Sequence, residues 1–328
     1  MMELKQAFYA MPTARAQTGP VIGDDPAEQF VYAMCDGMTD LSSPVFLPVH
    51  RSALRKLLAC GAVRRCPKGF KGTQPDIDGV LFSITGRCNM RCRHCYMGAP
   101  AGQSELPLET LQHILDELCA SGAMQLSLTG GEPLMRADLM EFIDSILSRG
   151  MDIPDIFTNA TLIDDAFLAQ LQARGLSPIF HVSFDGVGRH DVMRGVPGAE
   201  SAARRGIAAL KSAGHRVVLT TSVDEHTLPA LEKTYEFAKA TGVHAWGIGR
   251  PMAAGCAKSM GRVADEEFAA ACHALKALWE ADGQPFTLGL ESYFSHAVTK
   301  DMQHDIPGFE PGQYACGSCR AFPHITHE

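Results

Sequence analysis

The chain has 328 residues, 46% hydrophobic and 20% charged, with a formal net charge of −8. Such a composition belongs to a globular protein large enough for one big core or two smaller ones, and its acidic balance gives no general attraction to nucleic acid or anionic membranes. No run of about 18 apolar residues is present to span a membrane, and the N-terminus MMELKQAFYAMPTARAQ lacks the apolar stretch of a secretory signal, so the sequence points to the cytoplasm.

Before residue 80 the signals are helical and turn-like. Ala27 to Met34 opens a helix, CDGMTDLSSP is turn-rich, and Arg51 to Cys60 is amphipathic with Leu54, Leu57 and Leu58 on one face and Gly61 as a stop. Residues 1–79 therefore read as a small helical or winged-helix-like unit, closed by the linker PKGFKGTQPD (67–76). Residues 51–71 carry seven Lys or Arg and no acid, which makes either a solvated helix face or a docking face for an acidic partner.

From residue 80 a regular alternation sets in. Short β-rich runs occur at VLFSIT (80–85), QLSLTG (125–130), DIFTNA (155–160), IFHVSF (179–184), RVVLTTSV (216–223) and HAWGIG (244–249). Between them lie helical stretches at 108–118, 136–149, 164–174, 199–213 and 228–241, several closing on glycine (Gly150, Gly175, Gly214, Gly242). Strands alternating with helices imply βα units and a parallel sheet. The expected fold is α/β, a partial (β/α)6 TIM-like barrel over 80–290, with its chemistry on the loops at the carboxyl ends of the strands. A helix at about 265–282 and a short strand in PFTLGL follow, and 291–328 form a Cys-containing tail.

Eleven cysteines is a high count, and in a reducing compartment metal ligation or burial explains cysteines better than disulfides. Cys35, Cys60, Cys66, Cys119, Cys256 and Cys272 are dispersed and read as small core residues. Cys88, Cys92 and Cys95 instead form a CxxxCxxC loop directly after the first strand. Three thiolates on a four-iron cluster leave one iron open, the condition a catalytic metal site needs. Arg87, Arg91 and Arg93 would offset the cluster's negative charge, and Tyr96 could pack over it. The competing reading is a zinc knuckle with His94 or another residue as fourth ligand, for which this spacing is atypical.

The CNMRCRHCY string resembles the signature of the radical S-adenosylmethionine (SAM) superfamily, and the order of elements after it is similar to that family's barrel. The resemblance implies a [4Fe–4S] cluster whose open iron chelates SAM, and reductive cleavage to a 5′-deoxyadenosyl radical that abstracts hydrogen from substrate. It also implies an electron donor such as reduced flavodoxin or ferredoxin. In SLTGGEPL (127–134), Gly130 and Gly131 allow close backbone approach and Glu132 offers a carboxylate to an ammonium. This turn resembles the motif for the SAM amino group. Asn159 of FTNAT matches an Asn that relatives place near SAM. In VSFDGVGRHDVMRG (182–195), Ser183 and Asp185 offer polar groups toward ribose or carboxylate, and Arg194 is a bidentate clamp for the SAM carboxylate, with Arg204 as an alternative. The fifth strand departs from relatives at His226 and Thr227, and GIGRP (247–251) offers backbone groups near adenine.

The tail CGSCRAFPHITHE resembles the opening of a SPASM domain, the auxiliary-cluster module of peptide maturases, with Cys316 and Cys319 as candidate ligands; further cysteines normally follow in that module. Zinc held by Cys316, Cys319, His324 and His327, or a bare chain end, are the alternatives. Together these resemblances imply a SPASM-type maturase acting on a peptide or protein side chain, its leader segment docking on the basic N-terminal unit. The rivals are a radical SAM enzyme for a small molecule or cofactor precursor, and a non-enzymatic iron–sulfur or zinc protein.

Overall fold

The computed structural model describes residues 10–12, 25–35, 39–59, 62–65, 79–97, 105–120, 123, 125–251, 254–290 and 324–325. Cys60, Cys66, Cys316, Cys319, His327 and the 67–76 linker lie outside them.

The N-terminal unit has two helices, α1 (Pro26–Ala33) and α2 (Pro48–Ala59), and an antiparallel pair of short strands, β1 (Ala10–Pro12) and β2 (Val63–Arg65). Asp25 starts α1 by accepting a bond from the Ala27 amide at 2.9 Å, with Pro26 at the first helical position, where its missing N–H costs nothing. The apolar face expected of α2 is present. Leu54 and Leu57 are buried with Val31, Cys35, Leu41, Phe46 and Val63 in a core of their own.

The remaining strands are β3 (Val80–Ser83), β4 (Leu126–Thr129), β5 (Asp155–Thr158), β6 (Ile179–Ser183), β7 (Val217–Ser222), β8 (Ala245–Gly249), β9 (Thr287–Leu290) and β10 (His324–Ile325). They form one parallel sheet in the order β10-β3-β4-β5-β6-β7-β8-β9. The six strands read from the sequence are its centre, in chain order, and β9 falls in PFTLGL. The crossover helices are α3 (Leu108–Ala120), α4 (Leu139–Ser148), α5 (Asp165–Ala173), the short α6 (His190–Arg194) and α7 (Ala199–Ser212), α8 (Leu231–Thr241) and α9 (Asp265–Ala281). The architecture is the expected α/β partial barrel, extended by an edge strand on each side.

Alternate strand residues go to the helices. Val80, Phe82, Leu126, Leu128, Ile156, Phe180, Val182, Val217, Leu219, Trp246 and Ile248 are buried against Leu111, Leu115, Phe142, Ile143, Ile146, Ile207 and Tyr235. Each such side chain contributes about 1.5–3 kcal/mol. Phe82 meets Phe142 edge to face at 5.9 Å. Cys272 is buried in this core as expected, while Cys119 and Cys256 are half-buried. The residues between, such as Ser127, Asp155, Phe157, His181 and Ser183, face away from the helices and line a more polar, half-buried inner wall. No helix among the described residues is long and apolar enough to cross a membrane.

Candidate active site

The CxxxCxxC loop leaves the carboxyl end of β3 without regular secondary structure, so other segments must fix its shape. Its backbone is tied to α6, since the Arg91 amide donates to the Arg194 carbonyl and the Arg93 amide to the Met193 carbonyl, both at 2.9 Å. The Cys256 amide donates to the Cys95 carbonyl at 2.8 Å from the segment after β8. At both fastenings a glycine with positive φ lets the chains touch. A Cβ on Gly195 (φ 64°) would lie 2.4 Å from the Arg91 oxygen, and one on Gly255 (φ 52°) 2.3 Å from the Cys95 oxygen.

The three thiols are free and half-buried. Burial pushes Cys88 up to about 11 and raises Cys92, while Arg194 pulls both the other way. Arg194 donates from Nη1 to Cys92 Sγ at 3.5 Å. Arg87, expected to offset cluster charge, instead stands 3.6 Å from Glu105. Among the described residues no three His, Cys, Asp or Glu side chains stand close enough together to hold a single metal ion. A four-iron cube makes a different demand: each thiolate takes its own corner, spread around a space. The loop offers three half-buried thiols, backbone fastenings and a neighbouring cation, the donor set and charge such a cluster needs.

The GGEP turn packs directly beneath the loop. The Gly131 amide donates to the Thr85 carbonyl and the Glu132 amide to the Arg87 carbonyl, both at 2.8 Å, and a Cβ on Gly130 or Gly131 would strike that backbone at 2.4 or 2.3 Å. Glu132 is fully buried, and burial pushes its carboxyl up to about 7. It accepts from Thr158 Oγ1 and the Asn159 amide, both at 2.7 Å, and from the Leu134 amide at 3.3 Å. Asn159 itself is held by side chains: its Nδ2 donates to Asn89 Oδ1 at 2.7 Å, and its Oδ1 accepts from Thr161 Oγ1 at 2.6 Å. Tyr96 stays half-exposed on the loop, with its hydroxyl bonded to Ser83. Ser183 is half-buried on the inner wall.

Asp185 and Arg194 are buried together, with Arg194 Nε 2.7 Å from Asp185 Oδ2. The contact is off the hydrogen-bond axis, so it is an ion pair first. Burial works to raise the Asp185 carboxyl, but Arg194, His94 and His190 outweigh it and hold it below the ordinary carboxylate range. Arg204 lies elsewhere: it bonds Glu200 at 2.9 Å and sits 4.1 Å over the Phe237 ring. His226 pairs with Glu225 at 3.5 Å, and Thr227 closes a turn with Asp224. Arg250 of GIGRP pairs with Asp265.

Several residues of this region were either not read from the sequence or, like His94, read only as a possible zinc ligand. His94 Nδ1 and Asp224 Oδ2 are buried without partners, and His190, pushed down to about 4 by burial, accepts from the Asp185 amide at 3.0 Å. Buried Arg136 binds the Ile84 and Leu106 carbonyls at 2.9 and 3.0 Å and so anchors the end of β3. On the inner wall Asp155 accepts from Ser127 Oγ and meets His181 Nε2, both at 2.9 Å. The available signal was polar residues at every second strand position.

A one-sidedly helix-covered parallel sheet with a three-thiol loop at its first carboxyl end defines an iron–sulfur partial barrel. The profile of the radical SAM superfamily matches residues 82–238, so this stretch is a radical SAM domain, a type whose cofactors are a [4Fe–4S] cluster and SAM. An AdoMet-dependent heme synthase of Methanosarcina barkeri is 33% identical over 175 residues, 52% of this chain and 49% of that protein. The Fe-coproporphyrin III synthase of the same organism is 36% identical over 152 residues, 45% of this chain and 38% of that one. The chain thus spans about half or less of the length of these relatives. Streptococcus suis SuiB bound to its precursor peptide SuiA has a similar fold, with TM-score 0.65 and 12% identity over 88% of this chain and 65% of that one.

These relatives correct one expectation. The reading of a peptide or protein side chain as substrate does not stand: four of the curated relatives over the barrel are named for haem or Fe-coproporphyrin III, and the likeness to SuiB, at 12% identity, speaks only for the fold. The peptide reading drew in part on a tail of which only residues 324–325 are described, and on a basic stretch described at 51–59 and 62–65.

Proposed function

We propose that this chain is a radical SAM enzyme acting on a small-molecule cofactor precursor of the tetrapyrrole class. The three-thiol loop, seated at the carboxyl end of β3 and fastened by α6, carries the radical SAM assignment. Sequence kinship to tetrapyrrole enzymes over the barrel supports the substrate class. Cys88, Cys92 and Cys95 would hold the cluster, which when loaded and reduced supplies the electron that cleaves SAM to a hydrogen-abstracting radical.

The other side chains bind and orient. Gly130 and Gly131 bring the second turn against the loop, and Glu132 keeps one of its carboxylate lone pairs open after three protein bonds. An ammonium arriving there would favour the ionised form of a carboxyl that burial otherwise keeps near neutrality. Asn159, Ser183, Asp185 and Arg194 complete the polar rim proposed for SAM, and Tyr96 shields the loop's outer side. The substrate would lie against the inner wall. Residues 1–79, 80–290 and 291–328 are proposed as separate units, with Cys316 and Cys319 as ligands of an auxiliary cluster. Reduced flavodoxin or ferredoxin in the cytoplasm would supply electrons.

The test is anaerobic reconstitution followed by dithionite, SAM and an iron porphyrin bearing propionates. Wild type should release 5′-deoxyadenosine and change the porphyrin's mass, and Cys92→Ala should do neither and lack the cluster absorption. Equal 5′-deoxyadenosine from the two proteins would sink the radical assignment. Release without any change to the porphyrin would sink the substrate class alone.

A further inference from the structure

Arg194 ends the short helix α6, and three features hold its guanidinium in one place. Its side chain is 8% exposed. Its own carbonyl accepts the Arg91 amide at 2.9 Å, so helix end and loop move together. Nε lies 2.7 Å from Asp185 Oδ2 while Nη1 lies 3.5 Å from Cys92 Sγ. Asp185 is fixed in turn: it is fully buried, its Oδ1 accepts the Ser222 amide at 3.0 Å, and its own amide donates to His190 Nδ1 at 3.0 Å. The result is a rigid carboxylate–guanidinium–thiol chain running from the ends of β6 and β7 to the middle cysteine of the loop. Burial works against the Arg194 charge, yet Asp185, Cys92 and Cys88 keep it protonated above its ordinary value.

The geometry points to a tuning role for this pair: Asp185 and Arg194 set the reduction potential of the cluster on Cys92. The inference rests on Cys88, Cys92 and Cys95 being the cluster ligands. Reduction adds one negative charge to a cluster already surrounded by thiolates. A buried cation donating a hydrogen bond to one of those sulfurs stabilises the reduced state more than the oxidised one, and so raises the potential. Low local polarity strengthens the effect, because little water is present to screen it. Asp185 opposes it, cancelling part of the cation's field while anchoring its direction. Arg194 is thereby a positioning and tuning residue whose distance to sulfur is held by backbone bonds on one side and a buried carboxylate on the other. Of the arginines beside the cysteines, Arg91 is exposed and Arg87 is turned to Glu105 at 3.6 Å.

The experiment is potentiometric titration of the anaerobically reconstituted full chain with dithionite, without SAM, following the reduced cluster by electron paramagnetic resonance. Arg194→Met should lower the midpoint, Arg194→Lys should recover part of the drop, and Asp185→Asn should raise it. Iron and sulfide content, measured alongside, should match wild type. Midpoints equal to wild type in variants with full iron content would overturn the inference and leave the cluster assignment intact. If Arg194→Met retains no iron, Asp185→Asn decides alone by its upward shift or the lack of it. A wild-type chain that takes up no cluster would remove the cluster assignment itself, and the tuning role with it.

Discussion

Glu132 is a carboxyl with no exposure, bonded by Thr158 and Asn159 and pushed up to about 7 by burial. Its folded value lies above its unfolded one, so the unfolded chain ionises first as pH rises. The stability Glu132 lends is therefore full below the unfolded value near 4.5 and is lost as pH climbs through about 7. Urea unfolding of the SAM-free protein at pH 5 and pH 8 checks this. Relative to Glu132→Gln, wild type should lose about 2.5 kcal/mol between the two pH values, and a pH-independent difference would refute the assignment. Much at this scale was legible in the sequence. The three cysteines and the GGE turn declare themselves by spacing, because metal ligands and tight turns need particular residue types at fixed separations. The partner of Arg194 was not legible: Asp185 and Arg194 were both named from one string, but nothing in it shows that they face each other. Arg204, an equal candidate on paper, is drawn outward by Glu200, one helical turn away, and by the Phe237 ring.

Among the elements, the central strands and their helices follow the sequence reading to within a few residues, since period-two and period-3.6 patterns survive wherever one face is buried. What escaped is short. The α6 helix has five residues, too few for any periodicity, and β10 is a two-residue edge strand. The first of these matters to function because it grips the cysteine loop. Gly195→Ala would force a left-handed alanine whose Cβ meets the Arg91 oxygen at 2.4 Å. The strain should cost about 1–3 kcal/mol and displace the loop, so the variant should load less iron than wild type while keeping its far-ultraviolet dichroism. Full iron loading in Gly195→Ala would show that the grip is dispensable.

At the scale of the whole molecule, two cores are separate: one under the sheet and a smaller one between α1 and α2. Sequence composition allowed either one core or two, and the sequence pattern changes near residue 80, between the residues of the two cores. Leu57→Ala, in the smaller core, should destabilise that unit by about 2–5 kcal/mol. Calorimetry should then show an early transition for the N-terminal unit, with the barrel's transition in place. A single transition shifted as a whole would mean that the two cores unfold together.

The fastenings of the cysteine loop also order events in time. Residues 88–95 leave the ribosome before their backbone partners at Met193, Arg194 and Cys256, which are made 100 to 161 positions later. A nascent chain carries the thiols long before it carries the frame that spaces them. Iron delivery during synthesis would meet a slack peptide rather than a socket, and loading belongs after the β8 segment has docked.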